Sequence, residues 1–308
     1  MKPNLGWWVI AISVAIYPWW GSIASRAGGD LAGQAKQAQA SLPGYRSVLV
    51  GYAVGHEIHL MGFREPEGRW QDFYSCYEAD QEQATTLVAR ARSWVLYGLE
   101  TSPVPARSGG MKVDVEGGNT DFRLPLCEPK QLPRLERLAV SSRMPVRLAA
   151  VRRLILQDQA AVNRVRAVLA ARGWRCAGIT LTQNYAVDLD GDETEDQLTA
   201  ATAYFPHAYG TATRALVVAT RRPKGVPPVT YMLTSDIERR LAMTYGSKRL
   251  RSPEAIEAVI FAVLDLNCDR LPEVALRVQS FDYIGIVLVG MERQVYRTLT
   301  SAEWGGEF

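Results

Sequence analysis

The chain has 308 residues, 47% of them hydrophobic, and a net charge of +3. That apolar share supports a large core and excludes a disordered chain, and the length corresponds to one large or two ordinary domains. So mild a charge, with no aromatic residues interleaved among the bases, does not point to nucleic acid as a partner.

At the N-terminus, Lys2 precedes an uncharged apolar run from Leu5 to Ile23, interrupted by Pro18. Ser22 with Ala24, and Ser25 with Ala27, place small residues at the two positions a signal peptidase inspects, so residues 1–27 read as a signal peptide. A retained membrane anchor is the alternative. The Trp7-Trp8 and Trp19-Trp20 pairs lie roughly 18 Å apart on a helix, short of a hydrocarbon core of about 30 Å, which favours cleavage. Both outcomes export the remainder, giving an extracytoplasmic protein that is secreted, periplasmic or on the cell surface and that meets a membrane only through a retained anchor. Residues 28–44 are rich in Gly and Gln, end in Pro43-Gly44, and read as a linker.

Export makes disulfides plausible for Cys76, Cys127, Cys176 and Cys268. Three connectivities are open. Sequence proximity favours Cys76 with Cys127 and Cys176 with Cys268, and four free thiols are the alternative. No two cysteines have the close spacing of a zinc site.

The folded region begins with strand-like segments Tyr45 to Val54 and Glu57 to Phe63, a hairpin turning at Gly55-His56. From Gln81 to Leu99 the spacing of Leu87, Val88, Ala91, Trp94 and Val95 predicts a helix, ended by Pro103 and Pro105. A second hairpin is predicted over Lys112 to Leu126, turning at Gly117-Gly118-Asn119. Lys130 to Arg175 reads as Arg-rich and mostly helical, with Val162, Val165, Val168 and Leu169 on one face of Gln159 to Arg172 and Gly173 as the cap. Its bases, Arg134, Arg137, Arg143, Arg147, Arg152, Arg153, Arg164 and Arg166, read as a solvated helix face rather than an anion-binding patch. A boundary near Pro145 divides an N-terminal α+β domain, residues 45–148, from a C-terminal domain, residues 149–308.

From Ile179 the sequence becomes β-rich and repeats itself. Strand-like segments are predicted at Ile179 to Thr182, Leu198 to Phe205, Arg214 to Arg221 and Val229 to Leu233, then at Ile256 to Leu264, Val274 to Val278, Tyr283 to Met291 and Gln294 to Leu299. The excess length between the copies falls at Ser235 to Pro253. The expected fold class is α+β, with a smaller α+β region before a β-rich half of two tandem β-meanders. Two repeats do not close a propeller, which needs roughly four or more blades, so an open sheet or an incomplete propeller-like arrangement is expected.

Each repeat opens with an acidic loop between its first two strands. Oxygen side chains stand at positions one, three, five and nine: Asp188, Asp190, Asp192 and Asp196 in the first, Asp265, Asn267, Asp269 and Glu273 in the second. Hard oxygen ligands converging from one tight loop suit Ca²⁺, which takes roughly six to eight oxygens in irregular geometry. An EF-hand is excluded, because its bidentate Glu at position twelve is replaced by Thr199 or Leu276 inside a predicted strand. Tyr185 to Gly191 is similar to the opening motif of haloacid-dehalogenase phosphatases, but Asp192 stands where that family expects Thr.

The pattern D-x-[DN]-x-D-x-x-x-[DE] followed at once by a strand resembles the calcium loops of FG-GAP and VCBS-type repeats, the blades of integrin-like propellers. The resemblance implies metal ligands Asp188, Asp190, Asp192, the Thr194 carbonyl and Asp196, and a second set of Asp265, Asn267, Asp269, the Leu271 carbonyl and Glu273. Position six, normally Gly, is Glu193 or Arg270, and the signatures that name the family are missing. The first loop, with four carboxylates and Gly191, should bind Ca²⁺ best; the second carries Cys268 and the cation Arg270. Without metal, the same side chains would cap local backbone N–H groups as Asx-turns.

Other catalytic residues are few. His56 and His59 lack the helical spacing of a zinc protease and read as turn and strand residues, and only His207 remains. The expected function is therefore an exported, non-catalytic calcium-binding module of the cell envelope or secreted fraction, contacting a protein or glycan. The alternative is a metal-dependent hydrolase using Asp188, Asp190 and Asp192 to activate water.

Overall fold

Three antiparallel sheets, none closed into a barrel, are stacked between helices in a computed structural model that describes residues 48–65, 68–116, 119–127, 136–141, 146–207, 210–234, 257–279, 283–292 and 295–305. The expected leader, the linker and the segment Ser235 to Pro253 lie outside the described residues. Gly44–Phe308 forms one compact unit. No helix among the described residues is long and apolar enough to cross a membrane.

The first sheet contains β1 (Val48–Val54), β2 (Glu57–Arg64), β3 (Trp70–Asp72), β4 (Ser93–Gly98), β5 (Thr101–Arg107), β6 (Lys112–Glu116), β7 (Asn119–Pro125) and β8 (Arg137–Ser141), ordered β5-β4-β8-β1-β2-β7-β6 with β3 beside β2. Both predicted hairpins form. Helices α1 (Phe73–Ala79) and α2 (Gln81–Arg90) cover one face through Phe73, Cys76, Ala84 and Val88, packed on Leu49, Ile58, Phe63, Trp94 and Leu124.

Two helical expectations are corrected. The helix predicted to Leu99 stops at Arg90, and residues 93–98 form β4, in which aromatic and branched side chains pair with β8 and β5. Pro103 and Pro105 lie in β5, an edge strand of the sheet, where a missing N–H is tolerated. Among the described residues of the stretch predicted as mostly helical, only α3 (Gln159–Ala171) is a helix. Arg137–Ser141 is an internal strand between β1 and β4, whose pairings outweigh local helix preference. The Asp158 side chain caps α3 by accepting from the N–H groups of Ala160 and Ala161. Gly173 ends it at φ 77°, with Trp174 N–H bonded to Leu169 O and Gly173 N–H to Ala170 O, a Schellman arrangement.

The second sheet runs β10 (Arg152–Arg153), β11 (Gly178–Val187), β12 (Asp196–His207), β13 (Gly210–Arg221), β14 (Val229–Met232). The third runs β18 (Val295–Gly305), β17 (Tyr283–Glu292), β16 (Glu273–Gln279), β15 (Glu257–Asp265), β9 (Arg147–Leu148). Each is a four-stranded meander with one two-residue strand added beside its first member. The expected boundary at residue 148 falls between β9 and β10, which join different sheets.

The third sheet is the middle layer. One face, with Ile260, Val274, Leu276, Val287 and Val289, packs on Tyr185, Leu198, Ala200 and Val217 of the second sheet. The opposite face, with Phe261, Leu264, Ala275, Ile286 and Leu288, packs on Val50, Tyr52, Met61 and Leu138 of the first. Burial on both faces explains why its strands read as continuous apolar runs rather than as alternations. Helix α3 covers the outer face of the second sheet through Ala161, Val165 and Leu169, completing five layers. A bulge in β15 between Ile260 and Ala262 breaks the ladder, and the Gln183 side chain of β11 takes up the freed groups: its amide nitrogen donates to Ile260 O (3.0 Å), and Ile260 N–H donates to its oxygen (2.6 Å).

The four cysteines are free, which corrects the expected pairing of Cys76 with Cys127 and Cys176 with Cys268. Cys76 is buried under α1, while Cys268 lies in the second acidic loop. The Arg-rich segment is not a single helix face either. Arg137 is buried and donates to the carbonyl of Ser102 (3.0 Å), while Arg152, Arg153 and Arg164 are ion-paired with Glu195, Glu100 and Asp158.

Candidate metal site

The acidic loops are the hairpin turns of β11–β12 and β15–β16, closed by the pairs Val187 with Asp196 and Leu264 with Glu273. Each folds around its own side chains. In the first, Asp188 accepts the N–H groups of Gly191 (2.8 Å) and Glu193 (3.0 Å), Asp190 that of Asp192 (3.3 Å), Asp192 that of Thr194 (2.7 Å), and Asp196 that of Leu189 (3.1 Å). In the second, Asp265 accepts from Asp269 (3.1 Å) and Arg270 (3.1 Å), Asn267 from Asp269 (2.9 Å), Asp269 from Leu271 (2.8 Å), and Glu273 from Leu266 (2.8 Å). Apart from one bond shifted by a residue, the two networks are the same.

The backbone repeats as well. Positions four and six have positive φ in both copies: 72° at Gly191 and 65° at Glu193, 57° at Cys268 and 71° at Arg270. Glu193, Cys268 and Arg270 are the only non-glycine residues in this region among the described residues, a conformation that disfavours a side chain. N–H bonds to Asp188 and Asp265 hold Glu193 and Arg270 there.

The Asx-turn arrangement leaves acceptor capacity for a cation. A carboxylate offers about four lone-pair sites, and the first loop's N–H bonds use only part of them. Asp188, Asp190 and Asp196 bring oxygens within 4.8 Å of one another, the one such acidic group among the described residues. The sequence-expected ligand Asp192 is not part of it, its side chain being turned to Thr194 N–H. Asp265, Asp269 and Glu273 do not gather in this way, and Asn267 donates its amide to Asp269 (2.8 Å).

Charge separates the loops further. Burial pushes the Asp196 carboxyl up to about 6, with N–H bonds from Arg222 and Leu189 opposing and the neighbouring Asp190 adding to the rise. Burial pushes Glu273 up to about 8, with the N–H bond from Leu266 opposing and the charges of Asp269 and Asp265 adding to the rise. Strand register accounts for part of the contrast. Gln197 of β12 pairs with Thr220 and the matching Val274 of β16 with Val289, so the next residues along, Arg221 and Gly290, occupy equivalent positions. Arg221 forms a buried, two-pronged ion pair with Asp190, its Nε at 3.0 Å, while the neighbouring Arg222 N–H reaches Asp196 (2.6 Å). At Gly290 there is no cation, and a Cβ there would meet the Leu299 side chain at 2.6 Å and the Glu273 Cγ at 3.3 Å.

Sequence reasoning missed Arg221, Tyr231 and Tyr296. Arg221 lies 31 residues from Asp190, and its signal is an Arg-Arg pair ending the strand that flanks the loop. Tyr231 bonds to Arg221, and its ring packs edge-on against Tyr296 of β18, with centroids 5.3 Å apart. The histidines lie elsewhere. His56 is in the β1–β2 turn, and buried His59 shares Asp121 (3.1 Å) with Arg123 in the first sheet. Thr199 and Leu276 are inside β12 and β16.

No protein-family model, curated protein or solved structure matches this chain.

Proposed function

We propose that this chain is an exported, non-catalytic module in which calcium bound by the first acidic loop stiffens the end of a stacked-sheet scaffold that contacts a protein or glycan. The gathering of Asp188, Asp190 and Asp196 oxygens within 4.8 Å, in a loop whose backbone is fixed by the same carboxylates, carries this reading. Asp188, Asp190 and Asp196, with the Thr194 carbonyl, are the groups that would hold the ion, and its charge would offset the repulsion among them. The FG-GAP-like repeat reading is supported by two meanders that carry the loop at the same place, between first and second strands. Export rests on the apolar, small-residue leader in residues 1–27.

Calcium titration by calorimetry, paired with thermal unfolding in calcium and in chelator, tests the proposal. Binding to the folded state alone stabilises by about 2.7 kcal/mol when free calcium is a hundredfold above Kd. Identical melting curves in calcium and chelator would overturn it.

A further inference from the structure

A buried hydroxyl beside the first loop is left without a partner. Tyr296, on β18 of the third sheet, is 8% exposed, and its Oη makes no hydrogen bond. It belongs to the same buried cluster as Val187 and Leu189 of the first loop's hairpin, and Asp196, Arg221 and Asp190 act electrostatically on its hydroxyl. Buried hydroxyls ordinarily find a donor or acceptor, and one left unmade weakens the fold. The loop has the converse shortage: three gathered carboxylates and a carbonyl give fewer oxygens than the roughly six to eight that Ca²⁺ takes, so water completes such a shell.

We infer that the first-loop site is completed from the other repeat, the Tyr296 hydroxyl donating a hydrogen bond to a water in the shell of a calcium ion held by Asp188, Asp190 and Asp196. This rests on the calcium reading above. It makes the site a joint product of two sheets: the loop supplies charge, and the middle layer supplies a polar contact that is satisfied only when the ion brings its water. Tyr231 holds the Tyr296 ring edge-on and also contacts Arg221, so the hydroxyl is placed by packing rather than by a hydrogen bond of its own.

Tyr296→Phe removes only the oxygen, and the full-length variant is compared with the wild type by calcium calorimetry and by thermal unfolding in chelator. The expected result is a roughly tenfold weaker calcium affinity, the lower end of what outer-shell partners contribute, with unchanged or higher stability in chelator. Equal calcium affinity in the two proteins overturns the role of Tyr296 and leaves the calcium site intact. A variant that loses stability in chelator also overturns it, because the hydroxyl would then be bonded without metal. A wild-type chain that takes up no calcium removes both this inference and the reading beneath it.

Discussion

Gly191 of the first acidic loop rests against Arg270 of the second: a Cβ at Gly191 would lie 3.0 Å from the Arg270 carbonyl oxygen and 3.3 Å from its Cβ. The two loops are therefore neighbours at one end of adjacent sheets. Gly191 also has φ 72°. Gly191→Ala meets both obstacles and is expected to destabilise by about 1–2 kcal/mol from the backbone conformation alone. Urea unfolding in chelator measures this; a loss below about 0.3 kcal/mol would contradict the close approach.

Arg270 offers the opposite experiment. It holds φ 71° with a side chain, while its backbone N–H donates to Asp265. Arg270→Gly relieves that strain and is expected to raise stability by about 0.5–1 kcal/mol in chelator, less the entropy glycine adds to the unfolded chain. The check is the unfolding midpoint in urea.

The Asp190–Arg221 pair changes how the calcium site must be probed. The two side chains are 7% and 13% exposed, so Asp190→Ala leaves a nearly buried guanidinium without its partner. Breaking such a pair typically removes about 3–5 kcal/mol, so this variant is expected to melt early with or without calcium. Arg221→Met instead frees Asp190 for the ion. Calorimetry should show tighter calcium binding by Arg221→Met, together with reduced stability in chelator; weaker binding would show that Arg221 supports the ion rather than competing with it.

Asp121 predicts an acid-side dependence far from the loops. Burial opposes its ionisation, but the hydrogen bonds and charge of His59 and Arg123 outweigh burial and hold its carboxyl below the usual range. A carboxylate with a depressed folded pKa stabilises above its unfolded pKa, about 3.9, and loses that contribution as pH falls through the folded value. The gap in melting temperature between wild type and Asp121→Asn should be full near pH 6 and shrink below about pH 4. A gap constant from pH 6 to pH 2.5 would refute it.

Local pattern made much of this molecule legible. The acidic loops and the eight meander strands of the second and third sheets could be read because each lies within a few residues of its own signals: alternating or continuous apolar runs, Asp at odd spacings, a turn between them. The errors have a common cause. Trp94 and Val95 continue the helical spacing of Leu87, Val88 and Ala91 with no Gly or Pro to interrupt it, and only pairing with β8 and β5 makes residues 93–98 a strand. Arg137 to Ser141 was obscured in the same way by Arg-rich surroundings. In the site, spacing along one loop led to Asp192, whereas Arg221 and Tyr296 arrive through strand register and sheet stacking, which no spacing within the loop encodes.

The position of the third sheet has a consequence for how the molecule is assembled. Its four long strands follow the first and second sheets in chain order, yet they are the layer sandwiched between them. During synthesis the segments of the two outer sheets are therefore made before the layer that covers their inner faces, and until it arrives Tyr52 and Met61 on one and Leu198 and Val217 on the other lack their cover. Contacts of this kind join residues distant in sequence and form slowly, so the nascent chain carries two adhesive surfaces until its final strands insert. A protein built this way depends on being kept apart from its neighbours until that insertion is complete.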